Sequence, residues 1–355
     1  MKTTFRTLLV GFLLAATSIA YAQQVNTLYF LENAPMRHLI NPAFQPVSNV
    51  YVTLPVIGYS SAWVGNNAFT MKDFIFTDKN GNTITPYHPN ANPDWLAKKP
   101  KNTLIDADAY INLFGLGVRI KDNGYFHLNI SEHIIAGAAT GTNIFGINQL
   151  DSGLIGPFNL GANALVYTDF ALGYSHKIND QWTVGGKFKF LVGQAYVNAN
   201  LDNISLAHSM EELHAYGNGN IVAAAPLQWQ NLPTDVTDLG NIDTEALAGT
   251  DYRDWITPAG LGAAFDLGAT YKPHEQVQIS ASVTDLGFIR WTNLAKGNLS
   301  IDTTFTGVEL NYGDYVYEGE LNQDSLTAHL TNTLNGYADA LNISDIDNNA
   351  KPLTR

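Results

Sequence analysis

Hydrophobic and polar residues alternate with a period of two through much of the chain. From Tyr110 to Lys121 one set holds Tyr110, Asn112, Phe114, Leu116, Val118 and Ile120, and the other Ile111, Leu113, Gly115, Gly117, Arg119 and Lys121. Asp122-Asn123-Gly124 is a tight-turn signal, after which Phe126, Leu128 and Ile130 alternate with Tyr125, His127, Asn129 and Ser131. Val166, Phe170, Leu172, Tyr174 and Ile178 oppose Asp169, Gly173, Ser175 and Lys177, and the chain turns at Asn179-Asp180. Trp182, Val184, Phe188, Phe190 and Val192 then oppose Thr183, Gly185, Lys187 and Lys189. Leu261, Ala263, Phe265, Leu267, Ala269 and Tyr271 face away from Gly262, Asp266, Gly268, Thr270 and Lys272. After Pro273-His274, Val277, Ile279, Ala281 and Val283 alternate with Gln276, Gln278, Ser280, Ser282 and Thr284. These six segments predict antiparallel strands with one apolar face each.

Two architectures produce such alternation: a soluble sheet with one wet face, and a membrane barrel with lipid outside and a polar lumen. Four of the six segments run eleven to thirteen residues, close to the ~9–11 that cross a membrane at a tilt and longer than the ~5–6 of an ordinary strand. Tyr110, Tyr125, Tyr174, Trp182 and Tyr271 stand near segment ends, where interfacial girdles form, and short polar turns alternate with long connections. The expectation is an all-β fold, a transmembrane antiparallel β-barrel with long loops and short helical insertions. In it Phe188 and Phe190 face lipid while Lys187 and Lys189 face the lumen. Phe188→Lys should then impair assembly, and Lys187→Gln should not. A secreted sandwich is the alternative.

The amino terminus bears on location. Lys2 and Arg6 precede the apolar run Leu8 to Ala16, and Ala20-Tyr21-Ala22 follows as an A-x-A cleavage pattern. That reads as a signal peptide over 1–22, leaving Gln23 first in the mature chain. The run is short against the ~20 residues of a spanning helix. Between Gln23 and Val50, Phe30, Met36, Leu39 and Phe44 are interspersed with Pro35, Pro42 and Pro46. The prolines discourage a regular element, and the apolar content is too high for a free tail, so 23–49 is expected in or below the lumen. Residues 50–320 would form the barrel. Asn66 to Thr103 and Pro226 to Pro258 are long insertions, with a capped helical turn expected at Asn92 to Lys98. Leu321 to Leu341 has helical spacing, and Asp345 to Arg355 reads as a polar tail.

Composition narrows the function. Only 14% of residues are charged while 45% are hydrophobic, against ~25% charged in ordinary soluble domains. The formal charge is −13, and loss of Lys2 and Arg6 takes it to −15, an acidic balance that argues against nucleic acid. The absence of Cys excludes disulfides, thiolate metal sites and thiol nucleophiles. Gly260-Leu261-Gly262 begins like a dinucleotide fingerprint, but Phe265 stands where the third Gly belongs. Asp345-Ile346-Asp347-Asn348-Asn349 starts like a calcium loop, yet Ala350 replaces the turn Gly. His208 and His214 beside Glu211 and Glu212 match no ligand spacing. No catalytic residue, metal or cofactor is expected.

Asn41-Pro42-Ala43-Phe44 resembles the Asn-Pro-Ala start of several Bacteroidota outer-membrane barrels. Asp285-Leu286-Gly287-Phe288-Ile289-Arg290-Trp291 resembles the signature of an uncharacterised barrel family, a domain of unknown function. That family is distantly similar to FadL-type transporters of hydrophobic compounds and to the FadL-like barrels that accompany type IX secretion. The resemblance spans Leu28 to about Leu341 and transfers no ligand residue. Such barrels usually close on an aromatic residue, whereas this chain ends Leu353-Thr354-Arg355, as a fragment lacking closing strands would. The resemblance implies a bacterial outer-membrane protein in contact with lipid that binds or passes a small hydrophobic molecule. The alternatives are a barrel that docks a secretion or surface-machinery protein, and a secreted binding module.

Overall fold

The computed structural model describes residues 26–31, 33–55, 58–77, 81, 83–84, 96–149, 153–208, 213–225, 258–274, 276–305, 316–317, 320–321, 341–347, 350–351 and 353–354. The signal-peptide pattern lies outside them. So do the cap of the Asn92 turn, most of the Pro226–Pro258 insertion and the helical spacing from 322 to 340.

The protein is all-β, and twelve of the described strands form one large antiparallel sheet. The strands are β1 (Val50–Thr53), β2 (Ser60–Asn66), β3 (Phe76–Thr77), β4 (Thr83–Ile84), β5 (Asn102–Ile120), β6 (Gly124–Gly141), β7 (Gly153–Lys177) and β8 (Trp182–His208). After these come β9 (Leu213–Ala224), β10 (Gly260–His274), β11 (Val277–Trp291), β12 (Leu294–Phe305), β13 (Val316–Tyr317), β14 (Glu320–Leu321), β15 (Leu341–Asp347) and β16 (Leu353–Thr354). β3 with β4 and β13 with β14 make two separate ribbons. Among the described residues helix is confined to short pieces such as Asn26–Phe30 and the 3-10 turns Pro35–Leu39 and Thr142–Gln149. Among the described residues no helix is long and apolar enough to cross a membrane.

The pairing resolves into a meander. β1 and β2 both lie on β5, β5 pairs with β6, β6 with β7 and β7 with β8. β8 then pairs with β10 over Trp182 to Gly193 and with β9 over Tyr196 to His208. β9 and β10 are thus one row interrupted by the insertion. β11 continues the next row beside β10, and β12 continues it beside β9. β15 pairs with β12 and β16 with β11. Among the described residues eight rows result, each antiparallel to its neighbour: β1/β2, β5, β6, β7, β8, β9/β10, β11/β12 and β15/β16.

Local chemistry sets the turns. Lys121 adopts φ 55° between β5 and β6. Asn179 Oδ1 accepts the amides of Gln181 and Trp182 at 2.9 and 2.8 Å, an Asx turn that reverses the chain into β8.

The sheet is inverted relative to a soluble one. Phe188 and Phe190 are 45% and 44% exposed, while Lys187 and Lys189 on the opposite face are 4% and 6% exposed. Phe170, Leu172 and Tyr174 point out where Ala171 and Ser175 are buried, and Phe265 and Leu267 point out where Asp266 is fully buried. In β7, β8, β10 and β11 the most exposed apolar side chains lie toward the short turns. The sheet also curls, since β2 near one end and β11 near the other line the same cavity.

Several expectations are corrected. The strands reach 25 and 27 residues in β7 and β8, far beyond the alternating stretch, because the outer face is strongly apolar over only half their length. The β5–β6 register shifts between Asn112 and Phe114, so Tyr110 and Asn112 face inward, opposite to Leu116 and Val118. One extra residue reverses every side chain beyond it. Tyr110 and Tyr125, expected in a girdle, point inward instead: Tyr110 meets Ser131 at 2.7 Å, and Tyr125 is fully buried against Tyr51. The carboxyl-terminal stretch read as a tail contributes the strands β15 and β16.

Candidate functional site

The inner face of the sheet is covered by the amino-terminal segment. Glycines on the strands decide where it sits. A Cβ on Gly185 of β8 would fall on the Pro42 carbonyl and lie 2.6 Å from the Ala43 nitrogen. One on Gly268 of β10 would lie 2.8 Å from Asn41 Cγ and 2.9 Å from Pro42 Cδ. Two missing side chains therefore form the seat of Asn41-Pro42-Ala43. Asn41 Nδ2 donates to the carbonyls of Ala269 and Ala281 at 3.2 and 3.1 Å, and its Oδ1 accepts the Ala43 amide at 2.9 Å. Asn fits here because one carboxamide can bridge two strand carbonyls and still hold the turn behind it.

Further bonds tie the segment across the sheet. Ser282 Oγ donates to the Ile40 carbonyl at 2.8 Å, Lys187 Nζ to the His38 carbonyl at 3.2 Å, and Tyr29 meets Ser280 at 3.1 Å. Arg119 donates to the Pro46 carbonyl and to Asn49. The His38 ring is fully buried, stacked on His127 at 4.2 Å and 2.8 Å from the Tyr51 hydroxyl. Burial first, then the neighbouring His127, Lys187 and Lys189, hold His38 well below the usual imidazole range, so it is neutral. Met36 and Phe44 are buried, and Leu39 is half-buried on the cavity wall. Phe30 also lines the cavity but is 77% exposed rather than packed.

Above this seat lies a cluster of charges from three strands. The β8–β10 register sets Asp266 opposite Lys187. Asp266 lies 3.3 Å from Lys187 Nζ and 3.0 Å from Lys189 Nζ, and Lys189 also binds Asp285. Asp285 has φ 58°, and between Phe265 and Leu267 the β10–β11 register shifts there. This bulge puts the Asp285 amide 2.8 Å from Asp266 Oδ1. The Lys187→Gln expectation is thereby revised. Lys187 is part of a buried ion cluster and a tether for the segment, so Lys187→Gln should be disruptive.

The signature from Asp285 to Trp291 is explained by the same geometry. Asp285 makes the bulge, and Leu286 and Phe288 return to the outer face at 66% and 52% exposure. Gly287 abuts Ala264 with no room for a Cβ. Trp291 is fully buried, stacked on Tyr196 at 5.4 Å and lying over Gly193 and Gly260. Gly260 and Gly262 are strand glycines, as the failed nucleotide motif implied.

Between the segment and the sheet is a cavity of about 950 Å³. β2, β5, β6, β7, β8 and β11 supply its walls, and Tyr29, Phe30, Leu39 and Ile40 contribute from the segment. Aromatic rings alternate with ionisable groups around it. His133 of β6 stacks on Tyr167 at 4.5 Å, takes the edge of Tyr110 at 5.1 Å, and places Nε2 3.2 Å from Asp169 Oδ2. Asp108 of β5 also reaches the wall. A mixed aromatic and polar cavity of this size can hold one molecule of drug-like dimensions. Among the described residues no group of three or more His, Asp and Glu could hold a metal ion.

The cavity gathers Phe30, Leu39, Lys187, Lys189 and Asp285 from the sequence-derived candidates, while Met36, Asn41 and Phe44 lie in the seat. Sequence reasoning did not single out His133, Asp169, Asp108 or Asp266. Their only signal was that Asp169 and Asp266 fall on the polar phase of apolar strands, where a charge must find a buried partner.

A family of unknown function (DUF5723) matches the chain over residues 42–348. No curated protein matches it, and no solved structure does.

Proposed function

The chain belongs to DUF5723, and we propose that it is a bacterial outer-membrane β-barrel that binds or passes a small, mainly hydrophobic molecule through the cavity above its amino-terminal plug. The observation that carries this reading is the inverted sheet, with Phe188 and Phe190 outside and Lys187 and Lys189 sealed inside. Water disfavours a broad, exposed apolar surface, whereas hydrocarbon requires one. The apolar stretch from Trp182 to Val192 is about the length that crosses a bilayer at a tilt. The stacked Trp182–Tyr271 pair, 4.5 Å apart at the turn end, suits an interfacial girdle. Antiparallel pairing throughout the large sheet and short turns on one side are further features of outer-membrane barrels. The resemblance to FadL-type barrels agrees with a cavity lined in part by Tyr29, Phe30 and Trp63.

A second reading rests on strand length. β7 and β8 extend well past the apolar belt, and the projecting half would offer a docking surface to secretion or surface machinery. Membrane fractionation with heat-modifiable gel mobility tests the barrel. Binding of a neutral fluorescent hydrocarbon by the purified full-length protein tests the ligand role. Recovery as a soluble protein would overturn the first. Absence of binding together with stoichiometric copurification of another envelope protein would favour docking.

A further inference from the structure

The cavity wall is unbalanced in charge. Both lysines are committed: Lys187 to Asp266, and Lys189 to Asp266 and Asp285. Asp108 and Asp169 remain, with His133 between β5 and β7 as their shared neighbour. With Asp266 counted behind the wall, even a protonated His133 leaves four carboxylates against three cations. Asp169 is the telling residue. It is only 4% exposed, faces the cavity, and its Oδ1 has no hydrogen-bond partner among the described residues. A buried carboxylate oxygen without a donor calls for an explanation, and one that faces a cavity is open to a partner that enters it. The same cavity carries aromatic rings from separate elements: Tyr167 and Tyr110 beside His133, Trp63 of β2, and Tyr59 just before it.

Resting on the reading of the cavity as a site for a hydrophobic molecule, we propose that its ligand is an organic cation: an ammonium or amidinium group on an apolar body, with the charged end at Asp169 and Asp108. A carboxylate offers an N–H or quaternary cation a strong partner, and aromatic faces attract the same charge. A fatty acid has the wrong sign, since no lysine on the wall lacks a carboxylate.

The test uses the full-length protein in non-ionic detergent and three matched naphthalenes bearing an ammonium, a hydroxyl or a carboxylate, with affinities measured by calorimetry. The ammonium should bind at least about tenfold more tightly than the alcohol, and the carboxylate more weakly than either. Asp169→Asn should lower the ammonium-to-alcohol affinity ratio about tenfold. Asp108→Asn, on another strand, should lower it in the same direction, and heat-modifiable mobility identifies variants that still fold. If the alcohol binds as tightly as the ammonium, or if both folded variants keep the wild-type ratio, the charge assignment is overturned while the hydrophobic site stands. If none of the three binds, the hydrophobic site falls and this proposal with it.

Discussion

Replacing Gly185 by alanine should loosen the amino-terminal segment from the sheet, whereas the same change at Gly186 should not. The two glycines are adjacent on β8 and face opposite ways. An alanine Cβ at 185 would overlap the Pro42 carbonyl and come within 2.6 Å of the Ala43 nitrogen. Both are backbone atoms, so no rotamer relieves the overlap and the chain itself must shift. Such overpacking costs about 1–3 kcal/mol. The shift also stretches the Asn41 bonds to Ala269 and Ala281, at about 1 kcal/mol each. A docking penalty near 3 kcal/mol, on the order of a hundredfold in the equilibrium, follows. At Gly186 the added Cβ would meet Leu267 Cδ2 at 3.7 Å and the Asp266 carbonyl at 3.8 Å, ordinary contacts. The chain has no Cys, so Met36→Cys, at a position 4% exposed, supplies a single reporter. A water-soluble maleimide should label it about a hundredfold faster in the Gly185→Ala background than in the Gly186→Ala background. Equal rates in the two backgrounds would refute the seat described for Asn41-Pro42-Ala43.

Asn41→Ala should release the segment by about 2 kcal/mol through the loss of its two strand bonds, read by the same labelling. Phe188→Lys should cost about 2–4 kcal/mol if that face lies in lipid, appearing as poor assembly in vesicles. A variant that assembles normally would argue against a lipid-facing Phe188. Lys187→Gln should be destabilising by about 3 kcal/mol in a denaturant titration, since it leaves the buried Asp266 with Lys189 alone. Acid should undock the segment. Burial holds the folded His38 below its unfolded value of about 6.5, so its contribution to docking is full above that value and declines as pH falls below it. Labelling of Met36→Cys should accelerate through this range, and His38→Gln should flatten the response.

The alternation along β7, β8, β10 and the first part of β11 was legible because side-chain direction in a strand is a local backbone property of period two. It assigned Phe188, Phe190, Phe265, Leu267, Ile279 and Val283 to one face and Lys187, Lys189 and Asp266 to the other, and exposure agrees. The Asn-Pro-Ala and Asp-Leu-Gly-Phe segments also stood out as motifs, although their roles did not.

Tertiary structure alone decided the rest. The bulges at Leu113 and Asp285 reverse the inward phase without any local mark strong enough to read, which is why Tyr110 and Asn112 were placed on the wrong face. β9 and β10 form one row across an intervening stretch of more than thirty residues, and only pairing with the uninterrupted β8 reveals it. The cavity depends on longer separations still. Asp169 meets His133 36 residues away, and Lys189 meets Asp285 96 residues away. Period-two patterning fixes which face a residue occupies but carries no information about which strand lies beside it. That choice is made by register, by glycine seats and by the need of each buried charge for a partner.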